Sequence, residues 1–229
     1  EEAAEKIKDG VPYIIRFKSP GREDRKIKHK DVIKGNVEFP ENDQDIVIIK
    51  ADGLPTYLFA HAIDDHLMGT THVLRGDEWL SSVPLHLQLF QELGFKPPKY
   101  AHTPTLLKND NGAKRKISKR KDPEAAAAYY EEAGIPSDAV KEYLLNIANS
   151  TFENWRRANP DKSIDEFDFQ LNKMSVSGAL FDMVKLLDVS KNVISKYSAE
   201  KVYDETIAWA KNFDTELAEM LSKDTEYSL

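Results

Sequence analysis

Residues 71–103 read THVLRGDEWLSSVPLHLQLFQELGFKPPKYAHT, and this stretch decides the fold class. Its first six residues, THVLRG, predict a short β-strand that ends at Gly76. The segment after it predicts a helix that one of its two serines can cap, with Pro84 in the first turn and Gly94 at the end. A strand that leads into a helix is the repeating step of an α/β sheet.

The segments on either side extend this pattern. Upstream, residues 52–55 predict a turn, and apolar residues from Tyr57 to Met68 recur at helical spacing. Downstream, residues 99–108, KYAHTPTLLK, predict the next strand, parallel to the first. A helix, a strand, a helix and a strand in this order predict half of an α/β sheet domain.

The rest of the chain divides into two flanking parts. Residues 1–50 are expected to be β-rich, because VPYIIRFK and QDIVIIK are short apolar segments bounded by polar residues. Residues 51–122 carry the α/β pattern, and residues 123–229 are predicted to be helical. Asp122 is expected to cap the first of these helices, with Pro123 at its first position. We therefore predict three domains with these boundaries.

Composition places the chain among folded globular proteins. It has 229 residues, a formal net charge of -7, 41% hydrophobic residues and 31% charged residues. It contains no cysteine, which excludes disulfides, thiolate metal sites and cysteine nucleophiles and favours a reducing compartment. No apolar run reaches the roughly 20 residues that a membrane helix needs. We expect a soluble, cytoplasmic protein that does not bind membranes.

Residues 114–121, KRKISKRK, place six basic side chains in an acidic chain. A solvated loop, a nucleic-acid patch and a polyphosphate clamp are three interpretations of such a run. The tract follows a strand-like segment and precedes a helix N-terminus, which favours the clamp because both positions attract anionic ligands. Neither GxxxxGK[ST] nor GxGxxG is present, so a nucleotide would be held in another way.

The histidines and adjacent carboxylates give only a weak metal signal. Asp64, Asp65 and His66 could bind a metal, but adjacent residues do not share a helix face, so capping or packing roles are favoured. None of the six histidines lies in an HExxH pattern, and no zinc ligands are evident.

Three segments together resemble one family. KISKR, residues 116–120, resembles the second signature of class I aminoacyl-tRNA synthetases, in the form found in glutamyl-tRNA synthetases. DGLPTYLFAHAIDDHLMGTTHVLRGDEW, residues 52–79, resembles the second half of that family's catalytic domain, and SGALFDMVKLLDVSKNVIS, residues 177–195, resembles its helical segment beyond the loop. The resemblance implies an α/β fold: the second half of a Rossmann-like catalytic domain, with a small β-rich insertion part before it and an α-helical domain after it.

The resemblance also implies an activity. Such enzymes use ATP to activate glutamate as glutamyl-adenylate and then transfer the glutamyl group to tRNA. No protein nucleophile is needed, so catalysis rests on positioning and on stabilising the charge of the leaving polyphosphate. The implied ligands are ATP with Mg²⁺, L-glutamate and tRNA, and the parent protein is expected to be a monomer.

Roles carry over to this chain residue by residue. The implied catalytic residues are Lys119, Lys116 and Ser118. ATP contacts are implied for the same two lysines and for Glu78, Thr105, Leu106 and Leu107. Glutamate contacts are implied for Tyr57, His61, Arg75 and Trp79. Contacts to the tRNA acceptor arm are implied for Arg22, Arg25, Lys26, Lys28 and Lys30. Two qualifications apply: core packing is an equal alternative for Tyr57 and Trp79, and many relatives carry asparagine where this chain has His61.

Two parts of the family pattern are absent from these residues: the first, His-Ile-Gly-His-type signature and the anticodon-reading domain. We therefore expect an internal piece of a longer synthetase that is inactive by itself. Two alternatives remain open. One is a piece of a glutaminyl-tRNA synthetase, disfavoured by the spelling of residues 64–79 and of the KISKR segment. The other is a non-catalytic tRNA- or RNA-binding module on the same fold.

Overall fold

The computed structural model describes residues 2–223 and divides the chain into two compact units, Glu1–Thr103 and Pro104–Leu229. The domain boundaries expected after residues 50 and 122 stay a prediction. Within residues 2–223, no helix is both long and apolar enough to cross a membrane.

The first unit mixes helices and strands. Its helices are α1 (Glu2–Lys8), α2 (Tyr57–Leu67) and α3 (Val83–Glu92). Its strands are β1 (Ile15–Phe17), β2 (Lys26–Asp31), β3 (Gly35–Pro40), β4 (Ile46–Ile49), β5 (His72–Gly76) and β6 (Lys99–Thr103).

Two antiparallel pairs make up the β-rich part. β1 pairs with β4, and β2 pairs with β3 in a hairpin that places Lys28 opposite Glu38. The prediction of β-structure is confirmed, and the hairpin occupies the charged stretch between the two apolar segments. Along β2, exposed and less exposed residues alternate, so that three lysines face outward and Asp31 is buried.

The α/β part has the predicted parallel pair. β5 and β6 run parallel, with Arg75 opposite His102. The connection between them is a 3₁₀-helix, Asp77–Ser82, followed directly by α3. Because the 3₁₀-helix leads straight into α3, Ser82 stands at the N-cap position without a side-chain capping bond, and the predicted serine cap is wrong. Gly94 ends the helix as predicted, at a positive φ of 70° that suits glycine.

The core of the first unit lies between its two longer helices and the β1–β4 pair. Ala62, Leu89 and Phe90 are fully or almost fully buried there, and Phe17 and Ile46 of the paired strands pack against them. This packing fixes α2, which carries the predicted site residues Tyr57 and His61, against α3.

The second unit opens with a hairpin and continues as helices. Its strands are β7 (Leu107–Asp110) and β8 (Ala113–Lys116). Its helices are α4 (Ala127–Glu132), α5 (Ser137–Ala148), α6 (Phe152–Ala158), α7 (Met183–Ile194), α8 (Ala199–Phe213) and α9 (Thr215–Lys223). The predicted helical texture after Lys121 is confirmed within the described residues.

A second core anchors the helices of this unit. Tyr143 of α5 and Leu186 of α7 are fully buried and pack with Phe181. The Tyr143 hydroxyl accepts a hydrogen bond from the backbone N–H of Asp182 at 2.7 Å, and the Asp182 side chain caps α7. Ile117, from the middle of the basic tract, packs against this same core.

Candidate active site

Arg75 is the centre of a polar and aromatic cluster in the first unit. Its guanidinium donates from Nε to His102 Nε2 at 2.9 Å, from Nη1 to His86 Nδ1 at 3.1 Å and, weakly, from Nη2 to the carbonyl of Trp79 at 3.4 Å. Its central carbon lies 4.8 Å from the centre of the Tyr100 ring. We call Arg75 and its neighbours the Arg75 cluster; the other members are Tyr57, His61, Trp79, His86, Tyr100 and His102.

The structure brings the four predicted glutamate contacts together. The Tyr57 ring lies 5.7 Å from the His61 ring and 5.1 Å from the Trp79 ring, centre to centre, and the Trp79 ring lies 5.8 Å from the Arg75 guanidinium. Tyr57 is 55% exposed and Trp79 is 36% exposed. Core packing, the alternative for these two aromatic residues, does not fit that exposure, although their role in binding glutamate stays a prediction.

The surroundings of Arg75 are polar but uncharged. Burial lowers the pKa values of His61 and His102 and lowers the pKa of His86 to about 3, so all three rings are neutral at pH 7. Burial also raises the pKa of the Tyr100 phenol. The hydrogen bonds described for Arg75 all go to neutral groups, and the same burial lowers the Arg75 pKa. A half-buried cation with neutral hydrogen-bond partners is a suitable receptor for a carboxylate.

Asp31 is linked to Arg75 through a hydrogen bond to His102. Its carboxylate lies 2.6 Å from His102 Nδ1 and also accepts backbone N–H bonds from Ile33 and Lys34 at 2.9 and 2.8 Å. Burial raises the pKa of Asp31, but these hydrogen bonds outweigh burial, so the net pKa lies below its usual value. Asp31 is therefore ionised and linked to Arg75 only through His102.

Glu78 folds back over the strand that carries Arg75. A methyl group on Gly76 would collide with the Glu78 carboxylate, so glycine is required for this close approach unless the glutamate moves. The predicted contact of Glu78 with ATP is untested.

The KISKR segment forms a tight turn in the second unit. β8 ends at Lys116, and the N–H of Ile117 donates to the carbonyl of Leu106 at 3.0 Å. The carbonyl of Ser118 then accepts the N–H groups of Lys121 and Asp122 at 2.9 and 2.8 Å. Lys119 and Arg120 are exposed at the tip of this turn.

Asp122 anchors the turn; it stands at the predicted N-cap position with Pro123 after it, but its side chain is not used as a cap. Its carboxylate is 2% exposed and accepts two bonds from the Arg115 guanidinium, at 2.6 and 2.7 Å, and one from the N–H of Ser118 at 2.9 Å. It makes no capping bond to the 3₁₀-helix Pro123–Ala125 that follows. The hydrogen bonds from Arg115 hold the pKa of Asp122 well below its usual range. Two charge-assisted bonds from a guanidinium bind the carboxylate more strongly than a single bond from a backbone N–H, which explains the difference.

Arg115 also pairs with the preceding hairpin turn. Its Nε donates to Asp110 at 2.6 Å, so two carboxylates hold this one cation. Lys108 of β7 pairs with Glu124 and lies 3.4 Å from Asp122. Part of the positive charge of the basic tract is thus neutralised within the fold, which the solvated-loop interpretation does not anticipate.

The resemblance implies that the backbone around Thr105 to Leu107 contacts ATP beside its adenine, and part of this backbone is already hydrogen-bonded within the fold. The Leu107 N–H donates to Ala179 at 2.9 Å, and its carbonyl accepts from Phe181 at 2.7 Å. The Leu106 carbonyl accepts from Ile117. A contact between this segment and adenine would therefore use other groups of Thr105 and Leu106, and it stays a prediction.

The five basic residues predicted to contact tRNA lie on β2 and just before it, and all are exposed. Four have a carboxylate nearby: Arg22 with Asp24 at 2.8 Å, Arg25 with Glu41 at 2.8 Å, Lys26 with Glu38 at 2.9 Å and Lys28 with Glu38 at 4.0 Å. Exposed pairs of this kind are weak, so an RNA phosphate could exchange with the carboxylates. Their role with tRNA stays a prediction.

His66, one of the three residues considered as metal ligands, packs against an aromatic ring. The His66 ring stacks on the Phe95 ring at 3.7 Å between centres, which is the packing role. Among the described residues, no group of three or more histidine or acidic side chains is placed to hold a metal ion.

The comparisons with known proteins assign the class. The family described as tRNA synthetases class I (E and Q), catalytic domain, matches residues 1–188. The chain belongs to this family, which comprises the class I synthetases for glutamate (E) and glutamine (Q).

The similar proteins are more specific. The chain is 59% identical to the glutamate–tRNA ligase of Clostridium perfringens strain 13 over 222 residues, covering 97% of this chain and 41% of that protein. It is 51% identical to the glutamate–tRNA ligase of Sorangium cellulosum over 238 residues, covering 98% of this chain and 42% of that protein. The chain therefore spans about two fifths of the length of these curated relatives.

A solved structure supports the fold directly. The crystal structure of a glutamate tRNA ligase from Elizabethkingia meningosepticum, in complex with its amino acid, superposes with a TM-score of 0.76 at 30% identity. The match covers 96% of this chain and 47% of that chain. The expected class I catalytic fold is confirmed.

The sequence analysis assigned no role to three residues in or behind the Arg75 cluster: Asp31, His86 and His102. His102 faces Arg75 across a parallel strand pair, so the register of β5 and β6 could have indicated it. His86 lies two residues beyond Pro84, on the buried side of α3. Asp31 lies 71 residues before His102 and had no local signal.

Proposed function

We propose that the chain is the part of a glutamate–tRNA ligase that recognises glutamate and supplies the KISKR loop. The complete protein would join glutamate to ATP as glutamyl-adenylate with release of pyrophosphate and then transfer the glutamyl group to a tRNA hydroxyl. The observation that carries this proposal is Arg75, a half-buried cation whose direct partners are all neutral.

Arg75 has donors left for a substrate carboxylate. A guanidinium has five N–H donors, and three of these point to His102, His86 and Trp79. The remaining donors are on the two terminal nitrogens, where the Tyr57 hydroxyl is a further neutral partner, and a carboxylate can pair with both terminal nitrogens in two hydrogen bonds. Glutamate differs from glutamine in that its side chain is a carboxylate, so Arg75 favours glutamate over glutamine.

The loop has the features needed to stabilise a polyphosphate. Lys119 is exposed at the tip of a turn that Asp122 holds by its base. Removing the Lys119 side chain would leave this anchor unchanged, because the anchor uses Arg115, Asp122 and the Ser118 backbone. We assign to Lys119 the stabilisation of negative charge on the leaving pyrophosphate, with Lys116 and Ser118 in support.

The remaining ligands follow from the same reaction. Mg²⁺ would arrive with ATP, because this ion is commonly held by substrate phosphates and few protein carboxylates. Exposed lysines of β2 would contact tRNA phosphates without reading its sequence. A monomeric, cytoplasmic enzyme is the setting we propose.

The test is amino-acid-dependent exchange of pyrophosphate with ATP in the full-length gene product that contains this chain, supplied with its tRNA. Exchange should depend on glutamate and not on glutamine. Lys119→Ala should slow it about 100-fold or more, as the loss of a charged transition-state contact does. Lys121→Ala removes the same charge from the same exposed tract and serves as the matched control.

Each alternative has its own outcome in this experiment. Exchange that requires glutamine would support the glutaminyl enzyme. Binding of tRNA without any exchange would support the RNA-binding module. Equal rates for Lys119→Ala and Lys121→Ala would contradict the role of Lys119.

A further inference from the structure

A buried carboxylate and a histidine stand behind Arg75 in a continuous chain of hydrogen bonds. Asp31 is 1% exposed, and its position is fixed by backbone N–H groups of Ile33, Lys34 and His102. Its Oδ2 lies 2.6 Å from His102 Nδ1, and His102 Nε2 lies 2.9 Å from Arg75 Nε. These three side chains come from β2, β6 and β5.

The two partners of His102, Arg75 and Asp31, together determine which ring nitrogen carries the proton. A guanidinium nitrogen can only donate, so His102 Nε2 must accept and cannot carry a proton. The proton of neutral His102 is therefore on Nδ1, where it is donated to Asp31. The opposite tautomer would place two N–H groups face to face at Arg75 and present a lone pair to an ionised carboxylate.

This tautomer determines how the guanidinium is oriented. With Nε held by His102 and Nη1 held by His86, the plane of the Arg75 fork is set by two neutral rings. Only one of these rings is backed by a charge, because His102 donates to Asp31. Rotation of the fork away from its ligand would leave His102 Nε2 buried and unpaired, which is unfavourable.

We propose that Asp31 and His102 are positioning residues for substrate recognition: Asp31 selects the His102 tautomer, and that tautomer orients the Arg75 fork toward a carboxylate ligand. This inference rests on the proposed function, in which the ligand is glutamate. Asp31 and His102 do not contact the substrate. A purely structural role for the pair would leave glutamate recognition unchanged whenever the protein is folded.

The tautomer can be observed directly. In the chain labelled with ¹⁵N at histidine, long-range nitrogen–proton NMR spectra distinguish an Nδ1–H ring from an Nε2–H ring. We expect His102 to be the Nδ1–H form in the wild type and to become the Nε2–H form in Asp31→Asn, whose amide can donate to the ring. An Nε2–H ring in the wild type would overturn the inference and leave the proposed function standing.

The kinetic test uses three variants of the full-length gene product. Asp31→Asn and His102→Leu should each raise the glutamate KM about 10- to 100-fold, by analogy with the loss of an outer hydrogen bond behind a metal-binding histidine. The kcat and the ATP KM should stay within about twofold, because neither residue contacts ATP or the reacting atoms. His102→Gln keeps an acceptor at the position of Nε2 and should restore a near-normal glutamate KM.

The outcomes distinguish the positioning role of Asp31 and His102 from the proposed function. A changed tautomer with an unchanged glutamate KM in folded Asp31→Asn would overturn the positioning role alone. Failure of His102→Gln to rescue the KM of His102→Leu, with equal thermal stability, would also overturn it. If Arg75→Leu leaves the glutamate KM unchanged, the proposed function fails and the positioning role fails with it.

Discussion

Replacing Arg75 with leucine tests the proposed recognition of glutamate most directly. The terminal nitrogens of the Arg75 fork can make two charge-assisted bonds to a carboxylate. Their combined loss should weaken glutamate binding by about 3 kcal/mol, or roughly 100-fold. The assay is pyrophosphate exchange in the full-length gene product, with glutamate and ATP varied separately. The glutamate KM should rise by that factor, and the ATP KM should change little.

Arg75 also has structural partners, and their loss must be separated from the loss of the ligand. Without the guanidinium, His102 Nε2 and His86 Nδ1 lose their donor, which costs about 1–3 kcal/mol of stability for each buried group. That cost lowers the thermal midpoint of the variant but acts equally on every substrate. Arg75→Lys keeps the charge and lacks the planar fork, so we expect its glutamate KM to lie between the wild type and Arg75→Leu.

The decisive comparison is between the two KM values. A folded Arg75→Leu protein with a glutamate KM within about threefold of the wild type would refute the role of Arg75 as carboxylate partner. The loss of two charged hydrogen bonds to a bound carboxylate lowers the affinity by more than that factor. An equal rise in both KM values would point to a general distortion of the unit rather than to a lost carboxylate partner.

Two further predictions concern the anchor of the turn and the response to acid. Asp122→Ala should slow pyrophosphate exchange and make the KISKR segment more susceptible to trypsin, because Arg115 and the Ser118 N–H lose their shared acceptor. Trypsin cleavage at the wild-type rate would contradict the role of Asp122 as an anchor. Asp161→Ala, which replaces an exposed aspartate, is the control. Burial lowers the pKa of His86 to about 3, well below the value of about 6.5 expected in an unfolded chain. The unfolded chain therefore binds a proton first, so the free energy of unfolding should fall as the pH drops from about 6.5 toward 3, by up to about 1.4 kcal/mol per pH unit. Urea unfolding between pH 7 and pH 4 measures this slope, and His86→Gln should make it shallower; identical slopes would show that His86 does not titrate this way.

Most of the α/β core could be predicted from the sequence because the signals for its helices and strands are local. The apolar spacing of α2, the glycine after α3 and the parallel strands β5 and β6 all depend on residues near one another in the chain. The turn between β7 and β8 is equally local: Asn111 and Gly112 both have positive φ, which these residue types tolerate best.

The parts that could not be predicted depend on contacts between distant residues. The three lysines and the aspartate of β2 conceal its alternation, which becomes visible only because Ile27 and His29 turn inward beside Asp31. Asp122 has the sequence context of a helix cap, and only the three-dimensional structure shows that its carboxylate pairs with Arg115. The link from Asp31 to Arg75 joins three strands, so no window of the sequence contains it.

The double attachment of Arg115 has a practical consequence for observing the loop. Because this one side chain is tied both to Asp110 in the hairpin turn and to Asp122 at the base of the KISKR turn, the two segments are mechanically coupled. A fluorophore attached at the exposed Ala113 would therefore report on displacement of the loop without touching Lys116 or Lys119. The chain has no native cysteine, so a single Ala113→Cys substitution would give a uniquely labelled reporter.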